Sequence, residues 1–116
     1  MPGTVLVVDD HADTREMYVQ LLEAFGFDAV GATTCAEALA KARTGTFAAI
    51  VLDRRLPDGD GNDVCRALKA DARTRALPVV VMSGKPQDED VAEDVYLMKP
   101  VLPDVLVQTL RRLLPG

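Results

Sequence analysis

Five polar residues of this 116-residue chain have the types and spacing to act together: Asp9, Asp10, Asp53, Ser83 and Lys99. Each stands just past a short apolar run. Val5-Leu6-Val7-Val8 precedes the acidic pair, Ala48 to Leu52 precedes Asp53, Val79 to Met82 precedes Ser83, and Val95 to Met98 precedes Lys99. One charged residue past a strand is ordinarily a solvated loop residue; five at one sheet edge call for a site. Two carboxylates about 5 Å apart repel by roughly 3 kcal/mol at an effective dielectric near 20. A cluster of three must therefore protonate or take up a cation. Oxygen ligands with room for water favour Mg²⁺ or Mn²⁺ over zinc. With the Lys99 ammonium added, the set lacks one anion, and a phosphoryl group would bridge metal, lysine and serine hydroxyl.

The elements that must hold these residues alternate in type. The Val5–Val8 run is β-branched and apolar, as in a strand covered on both faces. From Ala12 to Phe25, Met17, Tyr18, Leu21, Leu22 and Phe25 fall at helical intervals, and Gly26 stands where a C-cap glycine belongs. A weaker strand follows at Asp28 to Gly31. Thr34-Cys35-Ala36-Glu37 is a capping-box pattern opening a helix to about Arg43. The third strand, Ala48 to Leu52, ends on Asp53. A helix from Asn62 to about Ala70 should bury Val64, Ala67 and Leu68. The fourth and fifth strands are Val79–Met82 and Val95–Met98. Pro103 starts a last helix with Leu106, Val107, Leu110, Leu113 and Leu114 on one face. This alternation predicts an α/β fold, a flavodoxin-like doubly wound five-stranded parallel sheet of order 2-1-3-4-5. Its ligands bind beyond the carboxyl ends of the strands, at the switch between strands 1 and 3.

The length suits one domain over residues 1–116. A net charge of −5 argues against direct nucleic-acid binding. No apolar run is long enough for membrane insertion and no signal peptide opens the chain, so the cytoplasm is the expected compartment. Cys35 and Cys65 lack disulfide or zinc-ligand spacing. Cys35 falls in a helix's first turn, where the dipole lowers a thiol pKa, although plain packing is the simpler reading.

Together, Val-Val-Asp9-Asp10, Asp53-Arg-Arg-Leu-Pro57-Asp-Gly-Asp-Gly61, Met82-Ser83-Gly84 and Tyr96-Leu-Met-Lys99-Pro100 form a specific set. Over essentially its whole length the chain resembles the receiver domain of bacterial two-component response regulators, the chemotaxis receivers among them. The resemblance implies a phosphorelay switch, not an enzyme, in which Asp53 takes a phosphoryl group from the phosphohistidine of a histidine kinase or histidine phosphotransfer protein. It implies a metal held by Asp9, Asp10, Asp53 and the backbone carbonyl of Arg55. Lys99 and Ser83 would contact phosphoryl oxygens, Gly84 would leave room for the group, and Tyr96 would turn inward as Ser83 moves. The Lys99–Pro100 peptide would be cis. A downstream effector or a homodimer would read the result.

Arg55 and Lys85 are expected at the pocket rim, where they would alter phosphoryl lifetime by steering or blocking water. His11, the only histidine, lies beside the acidic pair and reads as a solvated first-turn residue. Ser83 and Lys99 are only sixteen positions apart, fewer than the family usually has. The fourth helix is therefore expected to be shortened or irregular, which puts standard dimerisation in doubt. The competing function is a phosphorylation-independent interaction module on the same fold. A haloacid-dehalogenase-like phosphohydrolase would need an Asp-x-Asp pair after one strand, and the acids here are adjacent.

Overall fold

The computed structural model describes residues 3–85 and 94–114. Strands β1 (Thr4–Val8), β2 (Asp28–Ala32) and β3 (Phe47–Asp53) alternate with helices α1 (Ala12–Ala24) and α2 (Cys35–Thr44). A two-residue hairpin, β4 (Arg55–Leu56) and β5 (Gly59–Asp60), precedes α3 (Gly61–Ala70). Then come β6 (Val79–Ser83), β7 (Val95–Met98) and α4 (Pro103–Leu113). The five long strands form one parallel sheet of order β2-β1-β3-β6-β7, which is the expected 2-1-3-4-5 once the hairpin is left out of the count. The expected short fourth helix falls on residues 86–93 and lies outside the described residues.

Parity along the strands sorts the core. Val5, Val7, Ala49, Val51, Val80 and Met82 face α1 and α4, meeting Tyr18, Leu22, Leu106 and Leu110. Leu6, Val8, Ile50, Leu52, Val79 and Val81 face α2 and α3, meeting Ala38, Ala42, Val64 and Leu68. All twelve of these strand residues are fully buried, so β1, β3 and β6 lack the polar alternation of half-exposed strands. Each large side chain among them contributes roughly 1.5–3 kcal/mol of burial.

Several boundaries and faces differ from the sequence reading, for local reasons. In α1 only Tyr18 and Leu22 are buried; Met17 and Phe25 are largely exposed, and the Arg111 guanidinium covers the Phe25 ring at 5.6 Å from α4. Gly26 takes φ +93°, the left-handed turn that releases the chain from α1. In α3, Ala67 is only half-buried, while Asn62 and Cys65 are buried. That helix begins at Gly61, one residue early, because the Asp60 carboxylate caps it by accepting from Asn62 N–H at 2.9 Å.

The second helix is capped more fully than its box predicts. Thr34 Oγ1 accepts from Glu37 N–H at 3.0 Å, but the Glu37 carboxylate reaches Thr33 N–H at 2.7 Å, one residue before the box position. The two donors left over, Cys35 N–H and Ala36 N–H, give to the Asp58 carboxylate at 2.7 and 3.0 Å. Asp58 belongs to the hairpin after β3, so this cap ties α2 to the loop that follows Asp53.

Candidate functional site

Strand register brings the polar residues together. Val8 pairs with Leu52, so Asp9 and Asp53 leave adjacent strands side by side. Asp53 pairs with Met82 and Ser83 with Met98, which puts Ser83 and Lys99 next along the same edge. Two hydrogen bonds continue the ladder past the strand ends: Arg54 N–H to the Met82 carbonyl at 3.0 Å, and Lys99 N–H to the Ser83 carbonyl at 2.7 Å. These residues border a cleft of about 590 Å³ lined by Asp10, Asp53, Arg55, Ser83, Gly84 and Lys99, with His11, Arg54, Gly59, Asp60 and Lys85 around them.

Asp9, at the end of β1, lies beneath the cleft lining rather than on it. It is fully buried, and its Oδ1 accepts from His11 N–H at 2.9 Å, closing a tight turn at the end of β1. Its Oδ2 is buried with no hydrogen-bond partner among the described residues. Asp10 is exposed on the wall. Ligand atoms of Asp9, Asp10 and His11 all lie within 4.8 Å of one another. A buried carboxylate oxygen without a donor, beside a second carboxylate, is the donor set of a hard divalent cation.

Asp53 is 5% exposed. Lys99 Nζ donates to its Oδ2 at 2.8 Å, while among the described residues its Oδ1 accepts only a long 3.3 Å bond from Arg55 N–H. The Asp53 backbone is pinned as well. A Cβ on Gly61 would lie 2.6 Å from the Asp53 carbonyl oxygen, and Gly61 N–H donates to the Arg54 carbonyl. Only glycine lets the hairpin fold back this closely. On the far wall, the space where Gly84 would carry a Cβ holds no atom of the described residues within 4 Å. Ser83 Oγ accepts from Lys85 N–H at 3.1 Å, and the Tyr96 hydroxyl donates to the Lys85 carbonyl. One peptide segment therefore links the Ser83 hydroxyl to Tyr96. The Lys99–Pro100 peptide is cis.

Charges around the cleft are partly paired. Arg54 Nε lies 3.4 Å from the Asp60 carboxylate, and Arg15 Nη1 donates to the Asp9 backbone carbonyl at 2.9 Å. Burial pushes the Tyr18 phenol above its usual pKa; Lys99 opposes this, and Asp9 and Asp53 add to it. Cys35 does occupy the first turn of α2, yet its thiol is pushed up to about 11, by burial first and then by the neighbouring Asp58 carboxylate. The helix dipole loses to these two effects.

A family model of the response regulator receiver domain matches residues 5–111. The chain belongs to that family. This receiver domain is 36% identical over 117 residues to the DNA-binding response regulator MtrA of Mycobacterium tuberculosis H37Rv, a match covering 96% of this chain and 50% of that one. The chain thus spans about half the length of the curated relatives it matches. Among solved structures, the chemotaxis response regulator CheY4 of Vibrio cholerae superposes with a TM-score of 0.88 at 29% identity, covering 97% of this chain and 98% of that one. The signal receiver domain of a signal transduction histidine kinase from Syntrophus aciditrophicus gives 0.89 at 25% identity, covering 96% and 89%. The receiver domain is therefore that of a two-component signalling protein on the chemotaxis-receiver fold. Among the described residues, no helix is long and apolar enough to cross a membrane.

Three features of the site escaped the sequence reading. The β4–β5 hairpin, the Asp60 cap with its Arg54 pair, and the Asp58 tie to α2 all start from residues 54–61. Asp60 had a readable signal, an N-cap residue just before a helix. Asp58 had none, since its partners are more than twenty residues away in sequence.

Proposed function

We propose that this receiver domain accepts a phosphoryl group on Asp53 from the phosphohistidine of a histidine kinase or phosphotransfer protein. The single observation carrying the proposal is the uneven hold on the Asp53 carboxylate. Lys99 grips Oδ2 at 2.8 Å while Oδ1 has one weak donor among the described residues, so Oδ1 is the oxygen we assign to the attack. In-line attack forms the Oδ1–P bond as the P–N bond to the donor imidazole breaks, and the electron pair leaves with that nitrogen. Lys99 then shifts from the carboxylate to a phosphoryl oxygen. Ser83 gives up the Lys85 N–H and donates its hydroxyl to another phosphoryl oxygen.

Asp9, Asp10 and Asp53, with the Arg55 backbone carbonyl, would hold Mg²⁺, or Mn²⁺ in its place, which supplies charge neutralisation for the incoming group. The orphaned buried Oδ2 of Asp9 fits this assignment. Release of the Lys85 peptide frees the acceptor of the Tyr96 hydroxyl, a physical route from the cleft to the β7 surface where an effector or a second copy would bind. Arg55 and Lys85, both at the rim, are placed to tune how long the acyl phosphate lasts. DNA binding, named for MtrA, is not assigned to this half-length match, and the acidic charge of −5 agrees with that. The domain acts in the cytoplasm, where phosphohistidine donors are made.

Phosphotransfer from a phosphorylated histidine kinase, or from the small donor phosphoramidate, tests the reading. The wild type takes one hydroxylamine-labile phosphoryl group and Asp53→Asn takes none. Equal labelling of Asp53→Asn would overturn it.

A further inference from the structure

We infer that Arg15 is a positioning residue for phosphoryl transfer: from outside the cleft it fixes the peptide that carries both acids after β1, and Gly31 is glycine so that Arg15 can reach it. The inference rests on the metal-assisted phosphoacceptor reading and deepens it, naming residues that prepare the site without lining it. Arg15 stands half-buried on α1, and its Nη1 donates to the Asp9 backbone carbonyl at 2.9 Å. That carbonyl belongs to the planar peptide joining Asp9 to Asp10, so the bond limits rotation of the unit from which both carboxylates hang. The preceding peptide is held too, by Asp9 N–H donating to the Ala32 carbonyl at 3.0 Å. An arginine charge ordinarily goes to a carboxylate. Among the described residues Arg15 makes no ion pair and bonds this main-chain oxygen instead.

The second observation lies on β2. Gly31 sits in that edge strand, opposite Val7, and its φ is not positive, so its own backbone conformation does not demand glycine. A Cβ there would fall 2.9 Å from Arg15 Cδ, 3.2 Å from Arg15 Nε and 3.3 Å from Arg15 Cγ. Glycine inside a strand often marks the close approach of another group, and the group here is the stem of Arg15. The three atoms nearest such a Cβ all belong to that one flexible side chain. Gly31→Ala therefore displaces Arg15 and alters no residue of the cleft.

Calorimetric titration with Mg²⁺, without a phosphoryl donor, tests the inference in wild type, Arg15→Ala, Gly31→Ala and the double variant. Removing the partner that orients a metal ligand costs roughly ten-fold or more in affinity, and that is the loss expected in both single variants. Charge alone predicts the reverse, since deleting a nearby positive group would tighten the hold on a cation. In the double variant the added Cβ has no side chain left to displace, so its affinity matches that of Arg15→Ala. Phosphoramidate labelling slows by the same factor at limiting Mg²⁺ and recovers at saturating Mg²⁺, a split that a general loosening of the fold would not give. Unchanged or tighter Mg²⁺ binding in Arg15→Ala, or losses that multiply in the double variant, overturn the inference while leaving the phosphoacceptor reading intact. If Asp53→Asn still accepts the phosphoryl group, that reading falls whatever Arg15 does. If the wild type binds no Mg²⁺ at millimolar concentrations, both fall.

Discussion

Neutralising Asp9 should make the metal-free protein more stable, not less. Asp9 is fully buried, and one of its carboxylate oxygens has no donor among the described residues. Leaving a buried acceptor unsatisfied costs about 1–3 kcal/mol. Register sets Asp53 beside it, and a second carboxylate at about 5 Å would add roughly 3 kcal/mol before compensation. The Lys99 ammonium, 2.8 Å from Asp53, removes most of that repulsion. Asp9→Asn keeps an oxygen for the His11 N–H bond and drops the charge, so we expect a gain of about 1–2 kcal/mol. For a chain of this length that raises Tm by roughly 4–8 °C.

Asp53→Asn, in the same cleft, should gain less, because it forfeits the Lys99 pair. The assay is thermal unfolding in chelator and again with Mg²⁺. Saturating Mg²⁺ at a hundred times Kd stabilises the wild type by about 2.7 kcal/mol, and Asp9→Asn, lacking a ligand, receives less, so the order of stability inverts. An Asp9→Asn protein that melts below wild type in chelator would refute the claim that Asp9 is an uncompensated charge. A gap that Mg²⁺ leaves unchanged would refute the claim that a cation compensates it.

Gly61→Ala should cost about 1–3 kcal/mol in urea unfolding, because its Cβ would press on the Asp53 carbonyl oxygen; it should also slow phosphoramidate labelling by displacing Asp53. Labelling at the wild-type rate would show that the hairpin does not position the acceptor. Cys35, with its thiol pushed up to about 11, should react with Ellman's reagent at pH 8 at least about ten-fold more slowly than a free cysteine, and Asp58→Asn should speed it. Stability should report the same carboxylate. The Cys35 and Ala36 N–H groups hold Asp58 below its usual range, so its contribution is present above the unfolded pKa and lost as pH falls through the lower folded value. The stability difference between wild type and Asp58→Asn should therefore shrink on acidification; a difference that stays constant as the carboxylates are protonated would contradict that assignment.

The sequence alone determined the strand and helix alternation, the two-sided burial of β1, and the five polar residues past the strand ends. Those follow from local periodicity and chain order, because in a parallel sheet every strand delivers its next residue to the same edge. It also exposed the shortened run between Ser83 and Lys99. Tertiary structure decided what each residue touches. Only register fixed that Lys99 grips one oxygen of Asp53 and leaves the other weakly held. Only packing left one Asp9 oxygen without a partner among the described residues, and only the tertiary fold buried Cys35 and carried Asp58 across to it, raising its thiol against the pull of its own helix. Such outcomes depend on distances of a few tenths of an ångström between residues far apart in the chain, and no local pattern records those.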